Sequence, residues 1–320
     1  MPSSHADADA GPPGATQVRA VAPDDAPAIA AFFTAAHAVD PAIGAISAEE
    51  WQRFAALPQS RGGRDFRIAE ADGAITGVAT PALRDHAAPW VRHFRIVVAP
   101  ALRRRGIGST LLGHIAEMDA PAAVLLQCLC PEGWDAMAAF LEARGFAAIE
   151  SELDMVCEDA GRDEPRRRHD IAVRVLDGKA ALAGALAGIH NRAYAGSAAA
   201  VPLTGAEMAD VMAPALVLVA ERRGVPLGFC QIEPAGNAAW IESIAVEPRE
   251  QGRGVGALLL QHALAEAARR AGPRVRLAVS DRNAAAYALY RRLGFAVTGK
   301  SARYRAERAM VLAALEGAAR

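Results

Sequence analysis

Between residues 251 and 256 the chain reads Gln-Gly-Arg-Gly-Val-Gly, after an apolar run and before an amphipathic one. These residue types suit anion binding. Gly254 and Gly256 remove the side chains that would hold an anion away from the backbone. Where a helix begins at such a loop, its first turn exposes N–H groups and the positive end of the helix dipole. Together these make a site fitted to a diphosphate, with Arg253 adding charge at the rim and Gln251 offering a neutral donor. The same design recurs, with more positive charge, at Arg103, Arg104, Arg105, Gly106, Ile107, Gly108 and Ser109. The dinucleotide pattern G-x-G-x-x-G is poorly matched, because Gly252, Gly254 and Gly256 are evenly spaced and no ribose-binding acid follows. The nucleotide P-loop fails for lack of Gly-Lys-Ser/Thr. A tight turn with no ligand is the plain alternative.

The elements that must position these loops repeat along the chain. RRRGIGSTLLGHIAEM (103–118) and EQGRGVGALLLQHALAEA (250–267) share one layout. Each follows an apolar run ending at a proline, FRIVVAP (94–100) and IESIAVEP (241–248). Each precedes a second apolar run and a helix ending in Gly-Phe, FLEARGF (140–146) and LYRRLGF (289–295). Internal repeats of this kind signal duplicated domains. Upstream, VRAVA (18–22) and IAVRVL (171–176) read as first strands, followed by Ala-rich helices. Two hairpins follow, turning at Ala71-Asp72-Gly73 and near Arg222-Arg223-Gly224. In the helix after Gly256, Leu260, Ala263, Leu264 and Ala267 fall on one face. The order β-α-α-β-β-β-α-β-α-β in each half predicts an α/β fold of the α+β type: two tandem domains, each a mixed, largely antiparallel sheet flanked by helices. The expected division is a disordered tail at 1–16, a first domain at 17–158, a polar linker at 159–169 and a second domain at 170–320. The arginines at 166–168 read as part of a solvated linker.

Arg/Gln-x-x-Gly-x-Gly after a strand ending Val-x-Pro is similar to motif A of the GNAT family of N-acetyltransferases. The segment VSDRNAAAYALYRRLGF (279–295) resembles the family's motif B, with Asn283, Tyr290 and Gly294-Phe295 in order. The resemblance covers nearly all of the second half. In the first half it is clear for motif A and weaker afterwards. The chain thus resembles a tandem, two-domain member of the family.

The resemblance implies acetyl-CoA as acyl donor, held in an opening between the fourth and fifth strands, and a primary amine, of a small molecule or a peptide, as acceptor. It implies that backbone groups of Ile244, Ala245 and Val246 pair with the pantetheine arm. Amides of Gly252, Arg253, Gly254, Val255, Gly256 and Ala257 would hold the pyrophosphate, with Gln251 at the edge of the site as the neutral donor. Ile96, Val97 and Val98 with the 103–109 loop are the first-half counterparts. Asn283 would bond the CoA arm or cap the helix after it. Direct attack of an amine on a thioester needs a neutral amine, an oxyanion stabiliser and a proton donor for the thiolate. Tyr290 stands at the family's acid position, against the alternative of a core tyrosine. Glu242 is the candidate base or water relay, against ammonium binding or a plain surface charge. By strand alternation it shares a face with Trp240 and Ile244. The fifth-strand base used by some relatives is replaced by Ala278. Ser280, Asp281, Tyr304 and Tyr194 are possible ligand contacts, and His190 reads as a helix residue packing locally. In the first half Leu141 stands where Tyr290 does, Trp134 where Asn283 does, and Phe94 where Glu242 does, with His93 turned to the other face. That half is expected to bind CoA without turnover or to support the second.

A formal net charge of -1 in 320 residues gives no general attraction to nucleic acid or anionic membranes. With 52 % hydrophobic and 22 % charged residues, each half can bury an ordinary core. The four cysteines, Cys128, Cys130, Cys157 and Cys230, form neither a metal-site nor a disulfide-scaffold spacing. No metal is expected. The first residues lack the basic start and apolar run of a signal peptide, and no long apolar span occurs. The expectation is a cytoplasmic monomer or homodimer. Two rivals remain: a non-catalytic acyl-CoA sensor, and a nucleotide binder.

Overall fold

The computed structural model describes residues 16–56, 58–84, 90–119, 123–198, 202–235 and 238–318. The expected tail, apart from Thr16, lies outside the described residues. The first half of the chain gives β1 (Gln17–Ala20), α1 (Ala26–Val39), α2 (Ala48–Ala56), β2 (Arg67–Ala71), β3 (Ala74–Ala79), β4 (Ala82–Arg84), β5 (Trp90–His93) and β6 (Ile96–Val98). It continues with α3 (Ile107–Glu117), β7 (Val124–Pro131), α4 (Asp135–Glu142) and β8 (Ala147–Cys157). The second gives β9 (Ala172–Val175), α5 (Ala183–Ala193), α6 (Gly205–Met212), β10 (Leu216–Arg222), β11 (Val225–Ala235) and β12 (Ala238–Val246). It ends with α7 (Val255–Ala271), β13 (Val275–Ser280), α8 (Ala284–Arg292), β14 (Ala296–Glu307) and α9 (Arg308–Ala318). The mixed α/β architecture is the one expected. The expected order is met in the second half. In the first, the fourth strand is broken after His93 and resumes at Ile96.

Two compact units form, and neither is continuous in sequence. One comprises 1–83, 92–126 and 307–320; the other comprises 84–91 and 127–306. The division therefore differs from a cut at 158–170.

In the first unit the sheet order is β1-β2-β3-β6, all antiparallel. Asp72 and Gly73 both take positive φ (52° and 76°), which closes the β2–β3 hairpin with a two-residue turn of matching twist. Leu111, Leu112 and Ile115 bury one face of α3. Trp51 and Phe66, with centroids 5.4 Å apart, anchor α2. The buried Arg92 caps the end of α3, donating to the carbonyls of Ile115 (2.8 Å) and Asp119 (2.9 Å). The last helix, α9, packs on α3 and sends Arg308 Nε to the Ala116 carbonyl.

In the second unit the strands β14-β8-β13-β12-β11-β10-β9 run in that order, with β7, which the unit takes in from Gln127, next to β14. From β14 to β9 all neighbours are antiparallel except β12 and β13, which are parallel. Arg223 and Gly224 (φ 51° and 77°) make the β10–β11 turn. One face is covered by α7 and α8, whose Leu259, Leu260, Ala263 and Tyr290 join Cys230, Ile241 and Leu277 in one core. The other is covered by α5 and α6, where Leu186, Met208 and Met212 pack on Val217, Phe229 and Ala245. β8 comes from the first half of the chain, yet it pairs with β13 along Cys157↔Val275 to Glu152↔Ser280.

Candidate active site

Among the described residues β12 and β13 are paired only at Ala239↔Val275, Trp240↔Arg276 and Ile241↔Leu277. Beyond Ile241 they part, while the other edge of β13 stays paired with β8 along its whole length, to Ser280↔Glu152. A β-bulge marks the same point. Gln231 faces Ser243 and Ile232 faces Ile241, so Glu242 is the extra residue of β12. The bulge resets the alternation. Ile241 and Ile244 both lie against the α7–α8 core, while Ala245 lies in the α5–α6 core. The expected shared face of Trp240, Glu242 and Ile244 is therefore corrected. Trp240 and Glu242 do share a side, with Nε1 donating to Oε2 at 3.0 Å, but Ile244 is turned to the other. Glu242 is exposed.

Tyr290 is 5 % exposed, with its ring 5.8 Å from that of Phe295. Burial pushes its phenol well above the usual range, and Tyr194 and Cys230 nearby push the same way. Tyr194 comes from the end of α5, against the opposite core. Its hydroxyl donates to the Ile244 carbonyl at 3.2 Å and lies 3.4 Å from Ser243 Oγ. Burial raises its phenol too, against the lowering effect of those two bonds. The two tyrosines thus approach the parted strands from opposite faces. The His190 ring lies 4.7 Å from that of Tyr194, tilted at 38°, as a helix residue packing locally would.

The 251–256 loop follows a 3-10 turn at Pro248–Glu250 and opens α7. Gly252 and Gly254 both sit at positive φ (73° and 82°). The first intrahelical bond is Leu258 N to the Gly254 carbonyl (3.0 Å), so the amides before it are turned outward at the positive end of a 17-residue helix. Gln251 spends its side-chain amide on the Val246 carbonyl at 3.1 Å, fixing the end of β12. Arg253 is 66 % exposed, with Glu250 at 3.8 Å. Gly228 lets α7 lie close to the sheet: a Cβ there would meet the Ala245 carbonyl oxygen at 2.5 Å and Leu259 Cδ1 at 3.2 Å.

The Asn283 side chain accepts from Ala286 N at 3.1 Å and caps α8. Ser280 and Asp281 hold the loop after β13, through Glu150 (3.2 Å) and Ser151 N (3.1 Å). Ala278 faces Asp154 of β8. Next to it, Glu152 is raised by burial, with Asp154, Glu150 and Glu242 adding to the rise and Arg303 opposing it. These carboxylates on β8 were not found from the sequence, because nothing local says that β8 joins this sheet. Tyr304 donates to Glu142 Oε1 at 3.0 Å, as an internal strand tyrosine. All four cysteines are free and buried. Among the described residues no group of three or more His, Cys, Asp or Glu could hold a metal, and no helix is long and apolar enough to cross a membrane.

The 103–108 loop of the first unit repeats the backbone of its counterpart. Gly106 (φ 84°) matches Gly254, and Arg104 (φ 67°) takes the left-handed position of Gly252. A non-glycine there costs about 1–2 kcal/mol, so the conformation is kept against strain. The first α3 bond, Thr110 N to Gly106 O, spans 3.0 Å. Gly77 lies opposite Val98 as Gly228 lies opposite Val246, under α3 as Gly228 is under α7. Arg103 is ion-paired with Asp40 at 2.7 Å, which offsets part of the extra charge read at 103–105. Ile96, Val97 and Val98 form β6. Trp134 and Leu141, with α4, belong to the other unit.

The sequence model described as "Acetyltransferase (GNAT) family" matches residues 190–295, and that described as "Acetyltransferase (GNAT) domain" matches residues 44–148. A mycothiol acetyltransferase of Geodermatophilus obscurus is 30 % identical over 250 residues, covering 73 % of this chain and 79 % of that protein. The chain belongs to the GNAT family. As a GNAT acetyltransferase with tandem domains it uses acetyl-CoA as acyl donor and is an N-acetyltransferase. A mycothiol acetyltransferase of Clavibacter michiganensis is 31 % identical over 225 residues, 66 % of this chain and 71 % of that one. In fold, this GNAT chain is similar to a GCN5-related N-acetyltransferase of Sphaerobacter thermophilus (TM-score 0.73, 24 % identity, 92 % and 96 % covered). It is also similar to a tandem GNAT protein from the clavulanic acid biosynthesis pathway (TM-score 0.69, 19 % identity, 92 % and 99 % covered).

Proposed function

We propose that acetyl transfer takes place in the C-terminal domain, 170–320, by direct attack of a primary amine on acetyl-CoA. The observation that carries this reading is the parting of β12 from β13 after Ile241, next to the buried Tyr290 and the 251–256 loop. Backbone groups of Ile244, Ala245 and Val246 would pair with the pantetheine arm, and amides from Gly252 to Ala257 would hold the pyrophosphate. Asn283, already a helix cap, would also meet the CoA arm. Glu242 would take the proton of the incoming ammonium, directly or through water. The amine then attacks the thioester carbon, the carbon–sulfur bond breaks, Tyr290 gives its proton to the departing thiolate, and the second proton shed by the nitrogen as the amide forms returns through water to restore the Tyr290 phenol. A phenol raised by burial stays protonated until that step. In the N-terminal domain, 17–158, the 103–109 loop with Ile96, Val97 and Val98 would bind CoA without turnover. Because two relatives carry the name mycothiol acetyltransferase, primary amines related to mycothiol are the first acceptors to try. A soluble cytoplasmic protein, monomeric or homodimeric, with no nucleic acid, membrane or metal partner, completes the reading.

Titration with acetyl-CoA, CoA and NAD, and thiol release over a panel of primary amines, tests it. The expected result is saturable binding of the first two and amine-dependent release. Binding without amine-dependent release would favour a non-catalytic acyl-CoA sensor.

A further inference from the structure

The arginines at 166–168 read as a solvated linker; Arg168 is exposed, and its side chain is also tied to the glycine loop. Its Nη1 donates to the Arg253 carbonyl at 2.9 Å, inside the glycine loop. Its Nε and Nη2 grip the two oxygens of Asp170 at 3.0 and 2.9 Å. Asp170 also accepts from Arg222 at 3.3 Å, and Arg222 reaches both oxygens of Glu250 at 3.1 and 3.2 Å. Glu250 is 8 % exposed and ends the 3-10 turn that leads into the loop. The segment is further laid against α7 by Arg166 N, which donates to Gln261 Oε1 at 3.3 Å. One chain of bonds thus runs from the loop, through the segment before β9, and back to the start of the loop.

The point of attachment matters. The peptide between Arg253 and Gly254 turns on ψ of Arg253 and φ of Gly254, and Gly254 sits at positive φ (82°). Glycine holds such a conformation with little bias over others, so this peptide plane can rotate at small cost. In a trans peptide the C=O and N–H point in opposite directions. Holding the Arg253 carbonyl toward Arg168 therefore holds the Gly254 N–H toward the other side of the loop. We infer that Arg168 is a positioning residue for acyl-CoA: through the Arg253 carbonyl it fixes the peptide whose N–H faces the pyrophosphate. This rests on the proposed use of the 251–256 loop. Arg168 acts through the loop and not as a charge on the ligand.

Calorimetric titration of the full chain with acetyl-CoA tests this, using Arg168→Ala and Asp170→Asn. Both are expected to weaken binding about tenfold, equivalent to about 1.4 kcal/mol, while the cooperative thermal transition persists. Where an acceptor supports turnover, the loss should fall on KM for acetyl-CoA and not on kcat. Asp170→Asn separates positioning from charge, because it frees Arg168 from its anchor and removes a negative charge beside the loop. Unchanged or tighter binding by Asp170→Asn would overturn the inference, as would wild-type affinity in Arg168→Ala. Wild-type protein that does not bind acetyl-CoA would remove the underlying reading, and this inference with it.

Discussion

Tyr290 and Glu242 answer to opposite environments. Tyr290 is enclosed, and burial holds its proton well above the usual phenol range. Glu242 is exposed, one bond from Trp240. An acid must be protonated to act, and a raised pKa extends its protonated form to higher pH. Turnover should therefore rise with pH as the amine loses its proton, with no falling limb below about pH 10, where a free phenol titrates. A falling limb centred near neutrality in a pH–rate profile would exclude Tyr290 as the acid. Glu242→Gln should lower kcat/KM about 10²-fold or more at neutral pH and much less at high pH, where the amine is already neutral. An equal loss at every pH would instead indicate amine binding. The position of Tyr290 was legible, because Gly294-Phe295 fixes it in the motif. Glu242's surroundings were not: period-2 alternation assumes a regular strand, and the bulge at Glu242 breaks it.

The hairpins and the loop-to-helix step were legible as elements because their signals are local: Asp72-Gly73, Arg223-Gly224 and the glycines at 252, 254 and 256. Close approach of α7 to β11 was not, although both halves carry the same glycine, Gly77 and Gly228. Gly228→Ala would press a methyl onto the Ala245 carbonyl. It should destabilise the protein by about 1–3 kcal/mol, measured by denaturant unfolding. Gly254→Ala meets open space, its nearest neighbour being Arg168 Nη1 at 4.0 Å, but it must hold φ near 82°. That strain costs about 1–2 kcal/mol, and relief by loop rearrangement should weaken acetyl-CoA binding with little loss of global stability. Equal affinity for Gly254→Ala and wild type would separate the loop from the ligand.

At the scale of the whole molecule, the repeat was visible but its strand exchange was not. β8 carries no sign that it will pair with β13, since partner choice between distant strands is a tertiary matter. A chain cut at 158 keeps both sequence blocks and breaks both compact units. Residues 170–320 alone would leave the β13 edge bare, and residues 1–158 alone would leave α3 without α9. Each fragment should unfold at lower denaturant than the full chain, and the second should recover when 147–157 is restored. The central claim is narrower: acetyl transfer runs through Tyr290. The most direct measurement is thiol release by Tyr290→Phe in the full chain, with acetyl-CoA affinity measured alongside. The expected result is a fall in kcat of about 10²–10⁴-fold with near-unchanged acetyl-CoA binding. Turnover equal to wild type would place the chemistry elsewhere.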